Sequence, residues 1–364
     1  MNAPNETPTL VVEDLCTSFA TERGALRAVD GVSFTLHSGR TLGVVGESGS
    51  GKSATARSIM NLLPPGVSMT TGRVLLDGRD VRNLPRTESR HIWGVEASMV
   101  FQNPMTSLNP VIQVGRQIGE GLRYHRKMSR EAAGHRAREL LEQVGIADPD
   151  RRLQEYPHQL SGGMRQRVMI AIALACEPKL LIADEPTTAL DVTVQKQILD
   201  LLDRLRRQHS MAMILITHDL SVVAGRTDEV IVMYAGRIVE KAPTLQLFTK
   251  MRHPYTKALF ESIPKVAQPS HTRLRIIQGR PPDLATLPPG CAFAPRCAHA
   301  QPRCLSENPS LSGSEHAAHR HACFYPAGTP EGERALAANR AAGRTAAGLS
   351  LVGDLTAVGE GMPS

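Results

Sequence analysis

The sequence predicts an α/β fold built around a parallel sheet, and three observations support that class. Residues 180–183 form an apolar run without polar alternation, which is typical of a strand buried on both faces. Strand-like and helix-like patterns alternate along the first 217 residues. A glycine-rich turn over residues 46–53 joins a predicted strand to a predicted helix. Such alternation favours parallel strands that are connected by helices.

The predicted elements follow one another closely up to residue 217. Predicted strands occupy residues 9–14, 32–36, 41–45, 72–76, 97–101, 180–183 and 211–217. Predicted helices occupy residues 53–63, most of 111–144, 163–175 and 192–207. Prolines become frequent after residue 263, and the chain after residue 326 is rich in alanine and glycine. We therefore predict three parts, 1–262, 263–326 and 327–364, of which the last is a largely disordered tail with at most a short helix near 333–342.

Composition and charge exclude several classes of protein. The chain has 364 residues and a net charge of +7, from 42 Lys and Arg against 35 Asp and Glu. The basic residues form no run, and aromatic residues make up 4% of the chain, so we expect no nucleic-acid partner. No apolar stretch approaches the ~18 residues of a membrane-spanning helix. The first ten residues lack the features of a signal peptide, so we expect a cytoplasmic protein that meets a membrane only through partners.

The strongest functional signal is a glycine-rich loop that fits a polyphosphate. It follows the pattern G-x-x-x-x-G-K-[ST], in which glycines let backbone N–H groups face the phosphates and the next helix contributes its positive end. Lys52 can reach the β- and γ-phosphates, and the Ser53 hydroxyl can ligate Mg²⁺. The predicted nucleotide-binding residues are Gly46, Glu47, Ser48, Gly49, Ser50, Gly51, Lys52 and Ser53.

Two carboxylates follow the apolar run that predicts the buried strand. A carboxylate at the end of such a strand costs free energy unless its charge is used. We therefore expect Asp184 to hold Mg²⁺, directly or through water, and Glu185 to polarise the attacking water. A second anion-binding helix start is predicted at Ser161, Gly162 and Gly163, because small residues precede a helix there.

The motifs together resemble one family. The glycine-rich loop, LSGGMRQR at 160–167, LLIADEP at 180–186 and a late His218 are similar to the ATP-binding cassette (ABC) ATPases. The resemblance implies a P-loop nucleotide-binding domain with a RecA-like core, an antiparallel β subdomain and a helical subdomain at about 103–175. It also implies binding of ATP with Mg²⁺ in a head-to-tail dimer, in which Ser161, Gly162 and Gly163 of one subunit complete the ATP site of the other.

Further roles are implied residue by residue. Gln102 resembles the Q-loop glutamine, which touches Mg²⁺ and water and couples to the membrane subunits. Asp191 resembles the D-loop aspartate of the dimer interface, and His218 resembles the switch histidine that senses the γ-phosphate. Phe19 resembles the aromatic residue that stacks on adenine, with a core position beside its strand as the alternative. The implied catalytic residues are therefore Glu185, His218 and Gln102.

Longer segments resemble one branch of this family, the ATPase subunits of dipeptide, oligopeptide and nickel importers. These segments are FQNPMTSLNP at 101–110, MYAGRIVE at 233–240 and HPYTKALFESIP at 253–264. The likeness implies a peripheral protein on the cytoplasmic face of the inner membrane, which drives peptide import with a second identical or paralogous ATPase, two transmembrane permease subunits and an extracytoplasmic solute-binding protein. The alternatives are import of nickel or another small solute, and a soluble ABC ATPase without transport, such as one in iron–sulfur assembly.

Four of the six cysteines crowd between residues 291 and 323, and in a reducing cytoplasm such a group favours metal binding over disulfides. Soft thiolates suit zinc or an iron–sulfur cluster, and the spacing alone does not choose between them or exclude free thiols. The family resemblance implies a [4Fe–4S] cluster in a small Cys-rich C-terminal extension, with Zn²⁺ as the alternative. The implied ligands are Cys291, Cys297, Cys304 and Cys323.

Overall fold

The structure is a computed structural model that describes residues 7–22, 24–188, 190–263, 276–313 and 318–351. In chain order its strands are β1 (Leu10–Thr21), β2 (Gly24–Leu36), β3 (Thr41–Val45), β4 (Ser68–Leu76), β5 (Arg79–Asp80), β6 (Ala97–Val100), β7 (Leu180–Asp184), β8 (Ala212–Thr217), β9 (Glu229–Tyr234), β10 (Arg237–Pro243), β11 (Ser312–Gly313) and β12 (Arg320–His321). Its helices are α1 (Lys52–Ile59), α2 (Arg86–Ile92), α3 (Pro104–Ser107), α4 (Val114–His125), α5 (Arg130–Gln143), α6 (Pro149–Gln154), α7 (Gly162–Leu174), α8 (Val192–His209), α9 (Leu220–Val223), α10 (Thr244–Thr249), α11 (Pro254–Glu261), α12 (Arg303–Ser306) and α13 (Pro330–Ala341).

The larger sheet has the strand order β11-β12-β10-β9-β3-β8-β7-β6. Strands β6, β7, β8, β3 and β9 run parallel, which confirms the predicted α/β class. Every residue of β3, β7 and β8 is buried, and this explains their unbroken apolar sequences. Because parallel strands end at the same edge, the loop after β3 and the carboxylates at the end of β7 meet there.

A smaller antiparallel sheet has the order β2-β1-β4-β5 and packs its apolar side chains on β3 and α1. Its first two strands are longer than the sequence predicts. Pairing of β1 with β2 continues to Thr21, but the register shifts between Val12 and Leu15 and again after Leu15. These irregularities interrupt the two-residue alternation on which the sequence prediction depends.

Helices α3 to α7 lie between β6 and β7 in the chain and share a core with the larger sheet and α8. Two serines begin the main helices of this region, since Ser129 Oγ accepts from Ala132 N–H and Ser161 Oγ accepts from Met164 N–H. The helix α7 is largely buried, so the start of that helix is held firmly relative to the sheet. None of the described helices is long and apolar enough to cross a membrane.

The C-terminal segment packs on the larger sheet. Strand β12 pairs with β10, and Phe293, Cys297 and Cys304 join a core with Val232 and Tyr255. The described residues after 276 therefore extend the same core across the boundary that the sequence places at residue 263.

Of the predicted tail, the structure describes residues 327–351, which include helix α13 close to the short helix that the sequence predicts near 333–342. Helix α13 begins after Thr329, whose Oγ1 accepts from Gly332 N–H, and Pro330 occupies the first turn. The buried Asn339 amide donates to the Ala298 and Ala300 carbonyls at 2.8 and 3.1 Å. These hydrogen bonds fasten a helix whose Ala-rich sequence offers little apolar area. Residues 352–364 lie outside the described residues.

Candidate nucleotide site

The loop after β3 folds tightly over the start of α1. Gly49 and Gly51 have φ angles of +80° and +102°, in the left-handed region that favours glycine. A Cβ on Gly46 would lie 2.3 Å from the Met233 carbonyl oxygen and 2.6 Å from Ser50 Oγ. The close approach of backbone at these positions explains why the loop is rich in glycine.

Lys52 begins α1 and is only 4% exposed. Its Nζ donates to the Gly46 and Glu47 carbonyl oxygens at 2.7 and 2.9 Å, and it lies 4.0 Å from Glu185 Oε1. Burial lowers the pKa of the Lys52 ammonium, while the carboxylates of Glu185, Asp184 and Glu47 oppose that shift. The ammonium is therefore held inside the loop on carbonyl oxygens that phosphate oxygens could replace.

Ser53 and Asp184 offer oxygen ligands beside the lysine. Ser53 Oγ donates to Asp184 Oδ1 at 2.8 Å, and Asp184 is fully buried. Asp184 Oδ2 is buried without a hydrogen-bond partner among the described residues. Burial raises the pKa of Asp184, and the Ser53 hydrogen bond opposes that shift. A carboxylate with one unused oxygen next to a hydroxyl fits Mg²⁺, which prefers oxygen ligands and completes its shell with water and phosphate.

Glu185 brings the predicted catalytic residues together. Its Oε2 accepts from Gln102 Nε2 at 2.9 Å and from Thr188 Oγ1 at 3.0 Å, and it lies 3.3 Å from His218 Nδ1. The side chain is 12% exposed, and the backbone of Glu185 has a φ of +45°. Such a conformation costs free energy in a residue other than glycine and is often retained at functional sites. Gln102, Glu185 and His218 thus form one cluster beside Lys52.

The second predicted anion site lies at the start of α7, next to the start of α8. Asp191 Oδ1 accepts from Val194 N–H at 2.9 Å, as Ser161 does at its own helix. A Cβ on Gly162 would lie 3.5 Å from the Leu190 side chain, and one on Gly163 would lie 2.9 Å from that of Val194. Among the described residues, no hydrogen bond or ion pair joins this group to the phosphate loop within the chain.

Phe19 lies near the C-terminal end of β1, outside the phosphate loop of residues 46–53. It is half-buried and pairs in register with Leu26 of β2 and Ser68 of β4. Its proposed contact with adenine stays a prediction.

Two further side chains contact the phosphate loop from distant parts of the chain. Tyr255 Oη accepts from the Glu47 N–H at 2.7 Å, across 208 residues of sequence. Arg296 donates to the Glu47 carboxylate at 2.6 and 3.0 Å, across 249 residues. The sequence analysis missed both because no local pattern links a loop glutamate to side chains so far along the chain.

The four clustered cysteines line one small cavity together with His253, His299 and Phe293. All four are free thiols: Cys291, Cys297, Cys304 and Cys323. Burial raises the pKa of each thiol, that of Cys323 to about 12. No group of three or more His, Cys, Asp or Glu side chains is placed to hold a metal ion in the described part of the chain. The iron–sulfur cluster and its zinc alternative therefore stay predictions.

Comparison with known families and curated proteins gives several strong matches. Residues 29–188 match the family described as ABC transporter, and residues 239–304 match the oligopeptide/dipeptide transporter C-terminal region. The chain is 52% identical to the dipeptide transport ATP-binding protein DppD of Bacillus subtilis over 79% of this chain and 86% of that protein. It is 50% identical to the oligopeptide transport ATP-binding protein OppD of the same organism, over 83% of this chain and 85% of that protein.

Two solved structures share the fold. The ATP-binding cassette MJ0796, a dimer bound to ADP and phosphate after hydrolysis, gives a TM-score of 0.58 with 27% identity, over 65% of this chain and 98% of that chain. The protein cbiO1 from Clostridium perfringens, part of the ABC transporter complex cbiONQ, gives a TM-score of 0.56 with 28% identity, over 67% of this chain and 92% of that chain.

Proposed function

Because the chain belongs to the ATP-binding subunits of the oligopeptide and dipeptide ABC transporters, we propose that it hydrolyses ATP to drive import of small peptides. The observation that carries the chemistry is the convergence of Gln102 and His218 on the Glu185 carboxylate beside the phosphate loop. An importer ATPase must hydrolyse ATP only when its partner subunits are engaged. A catalytic carboxylate that is held by side chains from two separate segments suits such control.

Before the reaction, the nucleotide and its metal ion are held by polar and charged side chains whose positions the fold fixes. When ATP binds, Lys52 would exchange its two loop carbonyls for β- and γ-phosphate oxygens, and Ser53 and Asp184 would hold Mg²⁺. The ion supplies charge neutralisation to the phosphates when it is bound. Phosphoryl transfer needs little covalent help from a protein, so positioning and electrostatic stabilisation provide most of the rate.

Glu185 orients the attacking water and accepts its proton, and Gln102 and His218 hold this carboxylate in place. Thr188 adds a third constraint through its hydroxyl at 3.0 Å. Gln102 follows β6 and His218 follows β8, the two strands that flank β7, so small movements of either segment change the position of Glu185. The position of Glu185 therefore depends on which protein surfaces contact those two segments.

A second ATPase subunit completes the site. Ser161, Gly162, Gly163 and Asp191 lie together at two helix starts, and among the described residues no hydrogen bond or ion pair joins them to the chain's own phosphate loop. The ATP-binding cassette MJ0796, whose solved structure shares the fold, is described as a dimer. We place these helix starts against the γ-phosphate of the partner subunit, in a head-to-tail dimer of identical or paralogous chains.

Permease subunits dock beside Gln102, at the cytoplasmic face of the membrane. Phe101, Met105 and Val111 flank that glutamine, and Met105 and Val111 are 63% and 78% exposed. Exposed apolar side chains in one short segment favour a protein contact. A cytoplasmic helix of a transmembrane subunit is the occupant we propose, because this segment leads through Gln102 to Glu185. The chain is then a peripheral membrane protein, and the solute-binding protein acts on the other side.

In this proposal, the four cysteines that line the cavity would hold a [4Fe–4S] cluster. Such a cluster takes four thiolates, and none of these cysteines forms a disulfide. The cluster would stabilise the C-terminal segment rather than take part in hydrolysis. Anaerobically purified protein should contain about four irons and four sulfides per chain, and Cys297→Ser should lose them while Cys176→Ser does not. Stoichiometric zinc, or no metal, contradicts this assignment.

The transport function is tested by reconstitution. The chain, co-expressed with its two permease subunits and a partner ATPase, is placed in liposomes with the solute-binding protein. Peptide should stimulate ATP hydrolysis in the wild type and not in Glu185→Gln. Stimulation by nickel alone, or hydrolysis indifferent to every solute, contradicts peptide import.

A further inference from the structure

Arg296 reaches the phosphate loop from the C-terminal segment. It ends the short 3₁₀ turn Ala294–Arg296, next to Cys297. Its Nη1 donates to Glu47 Oε2 at 2.6 Å, and its Nη2 donates to Oε1 at 3.0 Å. The side chain of Arg296 is 4% exposed and that of Glu47 is 24% exposed. A buried, two-pronged ion pair of this kind fixes orientation as well as charge.

Arg296 is itself held in place by other groups. Its Nε donates to the Gln278 carbonyl at 3.0 Å, and Nη1 also donates to Tyr234 Oη at 3.3 Å. Burial alone lowers the pKa of the guanidinium, but the hydrogen bonds with Glu47 and Tyr234 outweigh it and raise that pKa. The arginine therefore keeps its charge and its direction.

Glu47 connects this arginine to the nucleotide site. Its carbonyl accepts from Lys52 at 2.9 Å, and its N–H donates to Tyr255, so its backbone is part of the phosphate-binding loop. Its carboxylate is an anion in a loop that receives a polyanion, and like charges this close repel. Arg296 neutralises that carboxylate and anchors the Glu47 side chain, while Tyr255 holds the Glu47 backbone N–H.

We propose that Arg296 is a positioning residue for ATP binding, which acts through Glu47 to keep the phosphate loop and Lys52 in the shape and charge state that accept the triphosphate. The proposal rests on the assignment of Gly46 to Ser53 as the ATP site. It gives the C-terminal segment a direct role in nucleotide affinity.

The test is a set of variants titrated with a fluorescent ATP analogue and Mg²⁺, with steady-state hydrolysis measured in parallel. Arg296→Ala should weaken binding and raise KM for ATP about tenfold, within the range for directly coupled residues, while kcat stays within about twofold. Arg296→Lys keeps the charge and loses the two-pronged geometry, so it should recover part of the affinity. The matched control is Arg334→Ala, which removes an exposed Arg–Glu pair in the same C-terminal segment.

A double-variant cycle shows whether Glu47 transmits the effect. In the Glu47→Gln background, Arg296→Ala should weaken binding less than about twofold, because no anion is left unpaired. An effect of equal size in both backgrounds overturns the proposal, as does unchanged affinity in Arg296→Ala. If Arg296→Ala does not fold, as judged by circular dichroism, Arg296→Lys carries the same test, and unchanged affinity there overturns the role.

Lys52→Ala separates this proposal from the site assignment. Unchanged nucleotide affinity in Lys52→Ala overturns the ATP site itself. Lost affinity in Lys52→Ala with normal affinity in Arg296→Ala overturns only the role of Arg296.

Discussion

At the scale of single residues, Glu185 is the point where the site's contacts meet. Its carboxylate accepts from Gln102 and Thr188, lies 3.3 Å from His218 and is 4.0 Å from Lys52. A carboxylate with this many partners has little freedom to rotate. It can therefore present the same oxygen to a water in each catalytic cycle.

Glu185→Gln should abolish turnover and leave ATP binding intact. The amide keeps the size and one hydrogen-bonding oxygen but cannot accept the water's proton, so kcat should fall at least about 100-fold. Equilibrium binding of ATP and single-turnover hydrolysis measure the two effects separately. The control is Glu139→Gln, which changes an exposed glutamate in α5. Near-normal hydrolysis in Glu185→Gln would remove this residue from the mechanism.

Asp184→Asn should stabilise the nucleotide-free protein while it abolishes Mg²⁺-dependent hydrolysis. Burial raises the pKa of Asp184, so its ionised form destabilises the fold above that pKa, and this cost disappears as pH falls toward the ordinary aspartate value. The gain at neutral pH should be on the order of 1 kcal/mol. Denaturant unfolding across pH 4–8 measures it. A destabilised Asp184→Asn at neutral pH contradicts this interpretation.

At the scale of elements, α13 shows how hydrogen bonds can fix a helix whose Ala-rich sequence offers little apolar area for packing. Asn339 accepts from Gln301 Nε2 at 2.9 Å and donates to two carbonyls near Cys297. Asn339→Ala removes this donor from both carbonyls, of which Ala300 keeps a longer hydrogen bond from the Ala346 N–H at 3.3 Å, so it should lower the free energy of unfolding by about 1–3 kcal/mol. Thermal melting compares it with Arg340→Ala, an exposed change on the same helix. Equal melting temperatures contradict the fastening role.

Contiguous patterns made the central elements predictable. The buried strands and the loop from Gly46 to Ser53 could be predicted because each is encoded by a run of adjacent residues. Asp184 and Glu185 lie beside that loop, as expected from parallel strands that end at the same edge of the sheet. The ends of β1 and β2 were less predictable because register shifts interrupt their alternation. The short helix predicted near 333–342 lies close to α13, which begins at Pro330 after the start signal of Thr329 and Pro330. The Arg296–Glu47 pair has no local signal, since it exists only once the chain has folded.

At the scale of the whole molecule, the phosphate loop is held from two sides. The parallel sheet carries it, while Tyr255 of α11 and Arg296 of the C-terminal segment hydrogen-bond to Glu47 within it. The start of α7 remains available for a neighbour. This arrangement explains why one chain is expected to be incomplete as an ATPase.

Dimer formation should depend on bound ATP. Glu185→Gln with Mg²⁺ and ATP should elute as a dimer in size-exclusion chromatography with light scattering, because unhydrolysed ATP bridges two chains. The double variant Lys52→Ala with Glu185→Gln should remain a monomer under the same conditions. If a paralogue is the natural partner, the dimer appears only when both chains are mixed. A monomer in every mixture contradicts the composite site.

The central claim is that this chain powers a membrane importer, and one purification tests it most directly. The tagged Glu185→Gln chain is isolated from gently solubilised membranes with Mg²⁺ and ATP, and the proteins that accompany it are identified by mass spectrometry. We expect two multi-spanning proteins and an ATPase in near-equal amounts. Soluble partners alone, or none from a membrane fraction rich in the tagged chain, would contradict the importer assignment.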